Sequence, residues 1–94
     1  MTEAEIRYND ILGKIAAKYN IESNDKKTII KHLDDSNPEL SKLLSEYHVL
    51  VDSYLFIKTD KMLMLKARDV WMTELKLFSS SMDECAEVIE KKLK

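Results

Sequence analysis

One glycine, one proline and one cysteine in 94 residues set the first limits on this chain. Tight turns are mostly built from Gly, Pro, Asn and Asp, and a sheet protein needs many of them. No Asn-Gly or Asp-Gly pair is present to close a hairpin of strands. Gly13, as the only glycine, cannot make a glycine-rich phosphate-binding loop. Cys85 has no second cysteine for an intrachain disulfide, which fits a reducing compartment. Uninterrupted apolar runs reach only four residues, Tyr54–Ile57 and Met62–Leu65, far short of the ~20 that span a bilayer. The formal net charge is −2 with both signs spread along the chain, so no basic excess advertises a nucleic acid or a membrane surface. No charged-then-apolar segment opens the sequence. The expectation is a soluble, cytoplasmic protein of one domain over residues 1–94.

What is present is rich in both directions. Apolar residues make up 45% and charged residues 34%, enough for a core inside a solvated shell and too apolar for a disordered chain. A chain of this size buries only about 60–65% of its unfolded surface, so its stability margin is thin. The stretch Leu40–Phe78 holds the only Trp, both Phe, two of the four Tyr and three of the five Met. It contains no Gly or Pro, and everything else must answer to its burial.

Helical spacing divides the chain into segments near 2–20, 25–35, 37–57, 60–78 and 82–93. Thr2 and Glu5 have the spacing of a capping box, and Ala4, Tyr8, Ile11, Ile15 and Tyr19 form the stripe behind it. Gly13 inside that helix costs about 1 kcal/mol relative to Ala, and close approach of a second helix would offset it. Asn20 tolerates the left-handed conformation that ends helices. Asp25 or Asn24 caps the second helix, which turns Ile29, Ile30 and Leu33 inward and leaves Asp34-Asp35 to a loop. Ser36 and Glu39 make a second capping box, with Pro38 in the first turn. Ser79-Ser80-Ser81 ends the fourth helix. Ser81 with Glu84 caps the last, whose inner stripe is Met82, Cys85, Ala86, Ile89 and Leu93, with Glu87–Lys91 and Glu90–Lys94 as supporting pairs.

Lys58-Thr59-Asp60 is the ambiguous point. A turn there makes the central stretch a helical hairpin, about 37–57 and 60–78, with Thr59 or Asp60 as the cap. Yet Leu43, Leu50, Ile57, Met64, Trp71 and Phe78 repeat every seven residues straight through it. A single helix of that length would need another chain beside it. Short antiparallel connections favour the hairpin.

Candidate chemistry is sparse. His32, His48 and Cys85 lack the close pairing of zinc ligands, so no metal and no cofactor is expected, and both histidines read as ordinary helix-surface residues. Cys85 sits on an apolar stripe with Asp83, Glu84 and Glu87 nearby, which raise a thiol pKa. Asp34-Asp35 and Asp83-Glu84 read as loop and first-turn charges, and enzyme function is not expected. Residues 14–33 loosely suggest a helix-turn-helix. Asn20 would be the turn residue, Ile21 the buried aliphatic, and Lys26, Lys27, Thr28 and Lys31 the groove-facing group, though the connection is about two residues too long.

Surface remains. Met62-Leu63-Met64-Leu65 and Trp71-Met72 cover nearly the whole circumference of the fourth helix, and a helix apolar all round is buried all round. The expected fold is all-α: a small bundle of four or five helices around the central hairpin, which dimerisation can complete. The expected function is a non-catalytic protein–protein interaction module, with Tyr47, Tyr54, Met62, Trp71, Met72 and Phe78 contacting a partner protein or a second copy. A DNA-binding module at residues 14–33 is the alternative, and no membrane partner is expected.

Overall fold

The computed structural model describes every residue, Met1–Lys94, and is all-α. Its elements are α1 (Glu3–Lys18), α2 (Lys26–Ser36), α3 (Pro38–Lys58), α4 (Lys61–Lys66) and α5 (Arg68–Lys92). No helix is long and apolar enough to cross a membrane.

Local chemistry sets several boundaries. The Thr2–Glu5 capping box is complete in both directions. Asn20 takes the left-handed conformation, with φ 54°, which its short polar side chain tolerates. Asp25 caps α2 by accepting from the Thr28 amide. Helix α2 runs through Asp34-Asp35 rather than stopping before them, because Asp34 accepts a hydrogen bond from Ser41 on the next helix. The α2–α3 joint is one residue, Asn37, and not the expected Ser36–Glu39 box. The Asn37 amide oxygen accepts from Leu40 N–H, its Nδ2 donates to the Tyr19 hydroxyl at 2.9 Å, and Ser36 Oγ turns back to the His32 carbonyl.

The chain turns at Thr59-Asp60. The Thr59 hydroxyl donates to the carbonyls of Leu55 and Phe56, both at 3.1 Å, closing the last turn of α3. Asp60 then caps α4 through Leu63 N–H. Two expectations fail beyond this point. The fourth helix breaks at Ala67 (φ −145°, ψ 62°), a residue with no breaker chemistry. And α5 passes unbroken through Ser79-Ser80-Ser81, so Ser81 caps nothing. Serine's weak helix propensity is overridden there by packing, since Ser79 is half-buried on the side facing α1.

The core lies entirely at one end. It comprises Ile11, Leu12, Ile15 and Ala16 of α1, Ile29 and Leu33 of α2, Leu40, Leu44, Tyr47 and Val51 of α3, and Met82, Ala86 and Ile89 of α5. Gly13 faces open space, with nothing within 4 Å of a Cβ placed there, so no close helix approach accounts for it. Ion pairs fasten the same end. Arg7 reaches Asp83 at 3.1 Å and Glu90 at 2.8 Å, and Lys92 reaches Glu39 at 2.7 Å. Glu90 is therefore engaged by α1 rather than by Lys94.

The seven-residue repeat has a different meaning from the one that suggested a single long helix. Trp71 Nε1 donates to the Ile57 carbonyl at 2.7 Å, and Cys85 Sγ lies 3.6 Å from the Leu43 carbonyl. This antiparallel register sets Leu43 across from Cys85, Leu50 across from Phe78 and Ile57 across from Trp71. The repeat is the seam along which the hairpin closes on itself, and every member of it is half-buried.

Candidate functional site

Beyond Val51 and Met82 the hairpin continues as an arm. None of residues 52–81 is buried. The molecule measures 46 × 21 × 19 Å, with a radius of gyration of 14.7 Å, where a compact chain of this length would have about 12 Å. The arm comprises the last two turns of α3, all of α4 and the first half of α5, two helices wide, with α1 reaching it only near Tyr54 and Ser79 at its base.

Large apolar side chains stand in the open there. Phe56 is 72% exposed, Leu65 77%, Met62 59% and Met72 55%, and Val70 and Leu77 are also exposed. The expected fourth helix, 60–78, with Met62–Leu65 and Trp71-Met72 covering nearly its whole circumference, was expected to be buried all round. It is not, because no element crosses the tip to cover it. Fully burying one such side chain is worth roughly 1.5–3 kcal/mol, and here that free energy is not recovered within the chain.

The expected contact residues divide. Tyr47 leaves the surface: it is 1% exposed in the core, its ring 5.5 Å from that of Tyr8. Tyr54 is half-buried, with the Lys58 ammonium 5.7 Å from its ring centroid. Trp71 is half-buried and its indole N–H is engaged internally by Ile57. Met62 and Met72 are open, on the arm. Phe78 is half-buried and, with Asp52, Ser53, Phe56 and Ile57, lines an open depression between α3 and α5 of about 510 Å³. Sequence reading missed Val49, Phe56, Val70 and Leu77. The available signal was a second seven-residue spacing, Val49–Phe56 and Val70–Leu77, on a face turned away from the inward stripes.

A polar cluster joins three helices at the base of the arm. The Tyr8 hydroxyl lies 2.9 Å from His48 Nδ1; His48 Nε2 lies 3.1 Å from Lys26 Nζ and 3.0 Å from Asp52 Oδ2. His48 is thus a half-buried bridge rather than an ordinary surface residue. Its Nε2 accepts from Lys26 when the ring proton sits on Nδ1, and donates to Asp52 when Nε2 carries it. Burial, and then the Asp52 charge, push the Tyr8 phenol up to about 12. Of the four residues only Asp52 lines a surface depression, the open one beside Phe56 and Phe78; Tyr8, His48 and Lys26 line none.

Other candidates are likewise accounted for by structure. Burial raises the Cys85 thiol pKa first, and Glu46 on α3 second, in place of the sequence neighbours expected to do so. No three His, Cys, Asp or Glu side chains converge as metal ligands. In the segment 14–33, Lys27 and Lys31 are exposed, but Lys26 is turned to His48 and Thr28 Oγ1 donates to Asp25. The connection between α1 and α2 runs from residue 19 to 25, longer than the three or four residues of a helix-turn-helix. Comparison with protein-family models, with curated proteins and with solved structures returned no match.

Proposed function

We propose that the chain is a non-catalytic helical interaction module, a small regulator, adaptor or assembly factor, that docks helix to helix through its arm. One observation carries this reading: the exposed apolar side chains concentrate on an arm that contains no buried residue. Large apolar side chains left in the open in this number are the mark of an interaction site. Methionine is the adaptable residue of such surfaces, and Met62 and Met72 stand open on this one. The compact end supplies the stability that the arm lacks.

A photo-reactive side chain at Leu65 is expected to give discrete cross-linked products in the cells that express the chain, and the same group at Lys27 to give none. Equal labelling from both positions, or none from Leu65, overturns the reading. DNA binding by residues 14–33 is the weaker alternative, since Lys26 is turned to His48 and the connection from residue 19 to 25 is longer than that of a helix-turn-helix. It requires a salt-dependent shift of duplex DNA that is lost on Lys27→Glu with Lys31→Glu.

A further inference from the structure

The arm has one open side. On α3, Glu46, Val49, Ser53 and Phe56 recur at helical spacing. On α5, Val70, Glu74, Leu77, Ser81 and Glu84 do the same. The depression lined by Phe56, Ile57 and Phe78 lies between the two rows. Helix α1 packs toward the opposite side, where Tyr54, Ser79 and Met82 meet Ala4 and Arg7. The open side is therefore an apolar trough with acidic groups along it: Glu46, Asp52, Glu74 and Glu84. Neither row contains a Lys or Arg between its end residues, and the exposed Lys42 stands one turn before Glu46.

The tip has the opposite sign. Lys58, Lys61, Lys66 and Arg68 surround α4, against Asp60 and Asp69, and the Asp60 carboxylate is taken up as the α4 cap. None of these four bases forms an ion pair within the chain; the ion pairs lie in the compact end and at the arm's base.

Taking the arm as the interaction surface proposed above, we infer that its occupant is a second copy of this chain, with the two arms antiparallel about a two-fold axis. Antiparallel pairing sets each basic tip over its partner's acidic base twice, by symmetry, so one surface supplies both halves of the complementarity. Parallel pairing would set tip against tip, with like charges facing. Two paired hairpins make a four-helix bundle in which the Phe56, Phe78, Val70 and Leu77 side chains find a facing layer.

The area agrees. A compact monomer of 11.0 kDa exposes about 5,600 Å² by the size scaling of folded chains. This chain exposes 6348 Å². The excess, roughly 700 Å², approaches the ~800 Å² that each partner gives to a standard interface. A short basic peptide laid in the trough would cover the acidic base and leave the tip in water. The second copy covers both.

Sedimentation equilibrium from micromolar to submillimolar concentration tests this. The expected mass climbs from that of one chain toward twice that value, and added salt weakens the association. Phe56→Asp with Leu77→Asp, both at exposed positions, is expected to leave the helical spectrum and the melting transition in dilute solution intact and abolish the dimer. Lys66→Glu with Arg68→Glu is expected to weaken it about tenfold or more, and mixing that variant with Glu46→Lys, Glu74→Lys is expected to recover association between the two variants. A monomer at every concentration overturns the inference, as does a dimer indifferent to Phe56→Asp with Leu77→Asp, or a monomer that floats with anionic lipid vesicles through its tip. Cross-links from Leu65 to other proteins by a monomeric chain would end the second-copy assignment and leave the docking arm standing. Absence of any Leu65 cross-link would end both.

Discussion

Trp71 lends its indole N–H to the carbonyl of Ile57 at 2.7 Å, across the hairpin and within sight of the break at Ala67. This is the one directional bond from a side chain that joins the outgoing and returning helices of the arm. It ties α5 to the last turn of α3 where no buried apolar layer does so. Trp71→Phe keeps most of the ring and removes the donor. The Ile57 carbonyl still accepts from Asp60 N–H at 3.1 Å, so no orphan acceptor remains. The expected loss is about 1 kcal/mol. Amide exchange should quicken over residues 58–72 and stay unchanged at Ile15 and Leu44. A uniform acceleration across both ends would contradict the role assigned to this bond.

Gly13→Ala is expected to stabilise the chain. A Cβ there meets nothing within 4 Å, and Gly13 has no positive φ to relieve. The gain is about 1 kcal/mol from helix propensity, or a rise of roughly 4–8 °C in melting temperature for a chain of this size. A fall in melting temperature would mean that α1 bends or packs differently.

Core and arm should respond oppositely to truncation. Leu44→Ala, in the buried cluster, is expected to cost about 2–5 kcal/mol. Leu65→Ala, on the tip, should stay within about 0.5 kcal/mol of the parent in dilute solution. Denaturant titrations of the two variants check this directly, with the change in midpoint as the readout.

The alkaline limb of stability rests on a ring pair. Tyr8 and Tyr47 have their phenols pushed up to about 12, in both cases chiefly by burial. A folded pKa above the unfolded one means that the neutral form is favoured in the fold. The contribution is therefore whole below the ordinary phenol pKa of 10.0 and is lost as the pH rises toward 12. Ultraviolet difference spectra should show these two phenols ionising late, coincident with unfolding. Tyr8→Phe, which also frees His48 Nδ1, should remove part of the late-ionising signal.

Much of the frame was legible in the residues, for definite reasons. The Thr2–Glu5 box, the Asn20 stop, the Asp25 cap and the turn at Thr59-Asp60 all depend on chemistry within four residues of the boundary. The failures are tertiary. Ala67 breaks a helix without any breaker, where α5 is tied to α3 through Trp71 and Ile57. Ser79-Ser80-Ser81 stays helical because α5 packs on α1 and α3. Tyr47 looked like an interface anchor and is a core residue, because residue type does not say which of two apolar faces turns inward. The open side of the arm went unread for the same reason: Val49–Phe56 and Val70–Leu77 show a spacing that resembles an inward stripe, and only the placement of α1 decides which stripe is covered.

The boundary at Val51 and Met82 has a consequence for how this chain tolerates change. The side chains that hold the fold and those that face outward on the arm share almost no members. On the proposed docking role, substitutions at Phe56, Leu65, Val70 or Leu77 change the docking surface and leave every core side chain of the four-helix end in place. On that proposal, recognition and the intrinsic stability of the single chain are set by separate side chains, open to separate selection, and a library confined to the outward rows of the arm would sample recognition without sampling misfolding.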